Sequence, residues 1–157
     1  MSDSLLLIVL GVLAALGVGI GVFSLLRCRR VRSLCSQAAQ AIQESRHDEA
    51  LRILLAAERS WAFNSHNGSR TSHLADLDDL SQVLTLLASV PGGDSRRITQ
   101  VDSAVSEVRA LFAERGNFGI DGRAMKREAA VRWAELSDRL ESLRRELRVS
   151  YETRLAA

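Results

Sequence analysis

Proline, cysteine and any excess of one charge are all scarce in this chain. Its 157 residues include one proline and two cysteines. Two cysteines exclude a disulfide-rich scaffold and a four-cysteine zinc site. One proline leaves long stretches free of helix breakers, and no period-two strand pattern occurs anywhere. The 21 Lys+Arg nearly balance 19 Asp+Glu, for a formal net charge of +2. That balance excludes the strongly basic face of a dedicated nucleic-acid binder. A hydrophobic content of 46% excludes intrinsic disorder.

Catalytic signatures are missing too. Gly92-Gly93 and the glycines from Gly116 to Gly122 lack the Lys-Ser/Thr or strand context of a phosphate-binding loop, and there is no zinc-protease helix motif. Asp76, Asp78 and Asp79 stand early in a helix, where acids suit the helix dipole. The expectation is a non-enzyme with no catalytic residue, no cofactor and no metal site.

What is present is sharply partitioned. Leu5 to Leu26 form a run of 22 residues with 17 hydrophobic, four Gly, one Ser and no charge. As a helix it spans about 33 Å, enough for a bilayer core of about 30 Å. Its n-region, Met1 to Ser4, has no Lys or Arg, and the run ends in Leu25-Leu26-Arg27 without a small-residue cleavage site. A retained transmembrane helix over 5–26, after a short tail at 1–4, is the reading. Arg27, Arg29, Arg30 and Arg32 follow directly. Basic residues flanking a span stay on the cytoplasmic side, so the expected topology is N-terminus outside and C-terminal domain cytoplasmic. The same four arginines are candidates for lipid headgroup contact. Within the run Gly11, Ala15 and Gly19 are four apart, beside Gly17 and Gly21. Such small-residue rows allow close helix packing in a membrane, with a second copy or another subunit. Arginine supplies 20 of the 21 basic residues. With abundant Ala and Leu this points to a GC-rich bacterial host, hence a bacterial inner membrane.

Beyond the run the expected fold class is all-α, a cytoplasmic helical bundle. Residues 27–63 read as a juxtamembrane hairpin, with Val31, Leu34, Cys35, Ala38, Ala41 and Ile42 on one face of its first helix. Ser45 followed by Asp48 reads as the cap of its second helix. Residues 34–62 resemble one tetratricopeptide repeat, with Ala38, Ala50, Leu54 and Ala57 at that family's packing positions. They depart at Ala41, Ser45 and Ala62, and no second copy follows. The outline of short tail, single span and helical domain is similar to that of the LemA family, without a shared motif.

Residues 64–72 read as a polar loop. With its borders it gathers Trp61, His66, Arg70 and His73, a candidate ligand or anion site opposed by a plain solvated connector. Residues 73–157 read as three helices. The first carries Leu77, Leu80, Leu84 and Leu87 and stops at Pro91-Gly92-Gly93; a cap at Thr99 to Asp102 starts the second. The last, from about Arg123 to Leu155, carries Trp133, Leu136, Leu140, Leu143 and Leu147 at heptad spacing. This coiled-coil-like seam packs on the bundle or on a partner helix. Glu141 with Arg144 and Arg145 reads as a solvated face.

The leading functional expectation is a single-pass scaffold or adaptor that docks a protein partner, or its own copy, at the membrane. The alternative is a small-ligand or anion-sensing regulatory subunit using the Trp61–His73 region. Ser33 to Ala157 hold 17 basic and 18 acidic residues, a net of −1. The chain's slight basicity therefore belongs to the four juxtamembrane arginines, which favours protein over nucleic-acid partners.

Overall fold

Helix follows helix from residue 26 onward. The computed structural model describes residues 22, 26–62, 70–114 and 126–157. Among them the chain forms α1 (26–43), α2 (His47–Ser60), α3 (Arg70–Ser89), α4 (Ser95–Ala113) and α5 (Arg127–Ala156), with no strand. Apart from Val22 and Leu26, the apolar run lies outside the described residues, and so do Gly11, Ala15, Gly17, Gly19 and Gly21. No described helix is long and apolar enough to cross a membrane.

The helices are held by one continuous core. Val31, Cys35 and Ala38 of α1 meet Leu51 and Leu54 of α2, Leu77, Leu80, Leu84 and Leu87 of α3, Val101, Val105 and Phe112 of α4, and Leu140, Leu147 and Tyr151 of α5. Each large aliphatic side chain buried there contributes about 1.5–3 kcal/mol. The leucine spacing of α3 places all four side chains on one stripe, which is why a heptad pattern suffices to define its buried face.

Two helix boundaries have different chemistry from the sequence expectation. Ser45 is not the N-cap of α2. It has φ 59°, a left-handed conformation. Its N–H donates to the Ile42 carbonyl at 3.0 Å, and the Arg46 N–H donates to the Ala41 carbonyl at 2.8 Å. This pair of bonds is a Schellman termination of α1. The α2 N-terminus then starts at Arg46 without a side-chain cap. The expected cap at Thr99 lies inside α4, where the Thr99 hydroxyl donates to the Ser95 carbonyl at 2.8 Å. Asp94 is the true cap, its Oδ1 accepting the Arg97 N–H at 3.1 Å. The physical reason is proximity to the Pro91-Gly92-Gly93 break: a carboxylate immediately after it satisfies the first free amides.

α5 has 30 residues, about 45 Å long, and runs antiparallel to α4. Their pairs mark the alignment: Arg132 with Glu114, Arg139 with Glu107, and Tyr151 beside Asp94. Of the two coverings expected for the α5 seam, the chain's own bundle is the one seen, with Trp133, Leu136 and Leu143 half-buried. Leu140 and Leu147 are in the chain's own core, and Trp133, Leu136 and Leu143 pack against it. The buried stripe also extends past Leu147, because Tyr151 is buried one turn beyond it.

Candidate functional site

The end of the bundle where α1 begins and α2 terminates carries the most unusual chemistry. α2 ends in Glu58, Arg59, Ser60 and then Trp61. Glu58 follows Leu54 by four residues and precedes Trp61 by three, so the helix period puts its carboxylate on the buried face. Arg144 stands in the same relation to Leu140 and Leu147 on α5. Both side chains are buried. A buried charge survives only with a partner. Arg144 Nε lies 2.7 Å from Glu58 Oε1, a close ion pair rather than a directed hydrogen bond. The directed bond to that carboxylate comes from Arg148, whose Nη1 donates to Oε2 at 2.9 Å. Glu141 takes Arg144 Nη1 at 2.5 Å, so two acids meet two arginines. Burial works against the Arg144 charge and pushes its pKa down, while Glu58 and then Glu141 support it.

Arg144 has a second task. Its Nη2 donates to the Glu58 carbonyl at 3.0 Å and to the Trp61 carbonyl at 3.4 Å. These belong to the last turn of α2, so a guanidinium from another helix satisfies the end of α2 and offsets the negative end of its dipole. The same guanidinium lies over the Trp61 ring, 4.3 Å from its centroid. The indole N–H donates to the Asp76 carbonyl at 2.5 Å. Trp61 is therefore locked between α3 and α5.

This changes the reading of the Trp61–His73 region. His73 is buried as well. It stacks on Phe112 with centroids 4.7 Å apart and faces Trp133 at 5.6 Å. Burial pulls its pKa below the ordinary 6.5, favouring the neutral ring. The two aromatic members of the expected ligand patch are both buried, Trp61 against Arg144 and His73 against Phe112 and Trp133. His66 and the Arg70 side chain lie outside what is described. Arg70 itself opens α3, so the helix begins earlier than the expected 64–72 loop boundary.

The four arginines that follow the apolar run are also divided by the fold. Arg32 Nε donates to Asp79 Oδ1 at 2.8 Å, an ion pair with a buried carboxylate on α3. Cys28 Sγ is 3.9 Å from Asp76 Oδ1. Burial and the nearby Asp76 raise its thiol pKa. Cys35 is fully buried, and burial with Asp79 pushes its thiol up to about 11. Both thiols are held in the protonated, weakly nucleophilic form. Arg29 is exposed. Arg27 and Arg30 turn instead toward the end of α2. With Leu26, Arg59, Ser60 and Trp61 they line an open cleft of about 370 Å³. Arg59 is also paired with Glu152 of α5.

Two other clefts, of about 480 and 490 Å³, flank the start of α4 and the last third of α5 and share Arg97 and Glu146. Among the described residues no three or more His, Cys, Asp or Glu are grouped to hold a metal ion. The sequence reading missed Glu58 and Arg144. The available signal was their position on otherwise apolar stripes. Comparison with family models, curated proteins and solved structures finds no match for this chain.

Proposed function

We propose that this protein is a single-pass membrane-anchored adaptor, without enzymatic activity, whose helical bundle sits at the cytoplasmic membrane surface and docks a protein partner there. The observation that carries this is the uncharged Leu5–Leu26 run leading directly into Arg27, Arg29, Arg30 and Arg32 at the start of α1. The packed bundle, with its apolar stripes turned inward, supports a rigid stand rather than a coiled-coil clasp. Partner docking is assigned to the Gly11, Ala15 and Gly19 face of the anchor, because small residues let two spans approach closely. The bacterial inner membrane is the proposed location.

The test has two parts. In spheroplasts of a bacterial host, the chain is expected to resist carbonate extraction, and its C-terminal domain to be protected from external protease until the membrane is opened. Crosslinking in intact membranes is then expected to trap a partner or second copy, and disruption of the small-residue row by Gly11→Ile with Gly19→Ile to abolish it. Extraction by carbonate, or cleavage of the bundle from outside, overturns the anchoring and topology. A strictly monomeric chain with no crosslinked neighbour overturns the adaptor role.

A further inference from the structure

We infer that the cleft between the start of α1 and the end of α2 is a binding site for a phosphate-bearing anion. Three arginines, Arg27, Arg30 and Arg59, line it from two helices, and Arg59 is also paired with Glu152 of α5. Like charges brought together repel, and the fold sets an acid, the Glu152 partner of Arg59, against them. Arg30 is exposed and makes no ion pair among the described residues. A tetrahedral oxyanion placed between the three would accept charge-assisted hydrogen bonds from planar forks, the geometry that arginine provides and lysine does not.

The surroundings are prepared for an anion. The end of an α-helix ordinarily presents unsatisfied carbonyls and a partial negative charge, which would repel phosphate. Here Arg144 takes the Glu58 and Trp61 carbonyls from behind. Trp61 is fixed by the Asp76 carbonyl and by Arg144, so the cleft wall is rigid before any ligand arrives.

Size and position narrow the ligand. A volume of about 370 Å³ exceeds what an isolated phosphate needs and leaves room for a glycerol-like group. Leu26, 58% exposed, stands at the rim. It is also the last residue of the uncharged run. On the membrane-anchored reading, from which this point alone derives, the mouth lies at headgroup level. A lipid phosphate and free inorganic phosphate share the recognised chemistry, and experiment separates them.

The test uses the full-length chain in uncharged maltoside micelles, with Trp133→Phe so that Trp61 is the sole tryptophan reporter. It is titrated with inorganic phosphate, dihexanoyl phosphatidic acid and dihexanoyl phosphatidylcholine. A saturable change in Trp61 emission with phosphatidic acid is expected, and Arg30→Gln is expected to weaken it about tenfold, as for loss of a hydrogen bond to a charged group. Arg29→Gln, outside the cleft, is expected to leave it unchanged. Response to phosphatidic acid alone supports a headgroup site, and response to inorganic phosphate as well supports a free-anion site. No response to phosphatidic acid or to inorganic phosphate, with far-UV circular dichroism unchanged, overturns the site. Equal weakening by Arg29→Gln and Arg30→Gln also overturns it, because diffuse charge then suffices. A chain that binds phosphate but is extracted from membranes by carbonate would sink the anchoring proposal and leave this one standing.

Discussion

Glu58 and Arg144 show how a single charged residue can be structural rather than solvated. Each occupies a position where the helix period demands an apolar side chain, and each is tolerated because the other is there. Removing one partner leaves the other buried charge with a single partner nearer the surface, Glu141 for Arg144 or Arg148 for Glu58, and breaking such a buried pair costs about 3–5 kcal/mol. Glu58→Gln is accordingly expected to lower stability by about 3 kcal/mol in a urea titration of the full chain followed by tryptophan fluorescence. Arg144→Met should cost at least as much, since the α2 carbonyls also lose their donor. The double variant should cost less than the sum of the two by more than about 1 kcal/mol, the mark of contacting residues. Strict additivity would mean that the two residues act independently. In sequence, Arg144 looked like one more member of an ion-paired surface with Glu141. The i,i+3 spacing is present and the bond to Glu141 does form. What spacing along one helix could not reveal was Glu58, 86 positions away on α2.

The elements are joined by terminations that differ in how readable they are. Pro91-Gly92-Gly93 ends α3 as its composition implies, and Gly92 adopts φ 72°. Gly93 answers to a tertiary contact instead. A Cβ there would lie 2.7 Å from the Tyr151 hydroxyl and 3.2 Å and 3.3 Å from the Leu87 and Val90 carbonyl oxygens. Tyr151 is buried, and its hydroxyl accepts the Asp94 N–H at 3.2 Å, so it has no room to withdraw. Ser150 adds a bond to Asp94 Oδ2 at 3.1 Å. The α3–α4 turn is thus fastened to the last third of α5. Gly93→Ala is expected to cost about 1–3 kcal/mol through overpacking, measured by the same titration, and Tyr151→Phe in that background to recover part of it. A neutral Gly93→Ala would show that the turn is free to shift away from α5. The Schellman end of α1 was not legible, because a serine in the left-handed region has no sequence signature.

At the scale of the whole molecule, the bundle is closed by its own long helix. α5 extends beside α4 from Arg132 to Tyr151, and near its N-terminal end His73, Phe112 and Trp133 bring α3, α4 and α5 together. His73 makes that junction sensitive to acid. Burial depresses its folded-state pKa below 6.5, so the unfolded chain takes up the proton first as pH falls. Its contribution to stability is complete above about pH 6.5 and declines as pH drops toward the folded-state value. Asp94 acts in a separate and lower window. The Arg97 N–H, and then the Arg97 and Ser150 side chains, hold its pKa below the usual carboxylate value, so its share is lost only below about pH 4. Thermal melts of the full chain between pH 8 and pH 5 are expected to show falling stability, and His73→Phe to remove most of that slope. A slope unchanged by His73→Phe would assign it to other groups.

The sequence by itself determined the helical class and the buried faces of α1 and α3, because apolar residues at a 3.6 period can only be hidden on one side. It also set the uncharged run and the arginines that follow it, on which the anchoring proposal rests. Tertiary structure alone decided which way the α5 seam faces. An intramolecular and an intermolecular seam have the same heptad pattern and differ only in whether the chain's own helices are near enough to cover it. Tertiary structure likewise divided the four arginines that follow the apolar run, giving Arg32 to Asp79 and placing Arg27 and Arg30 with Arg59 around one cleft. That division depends on the end of α2 lying beside the start of α1, a distance in space that residue numbers do not encode.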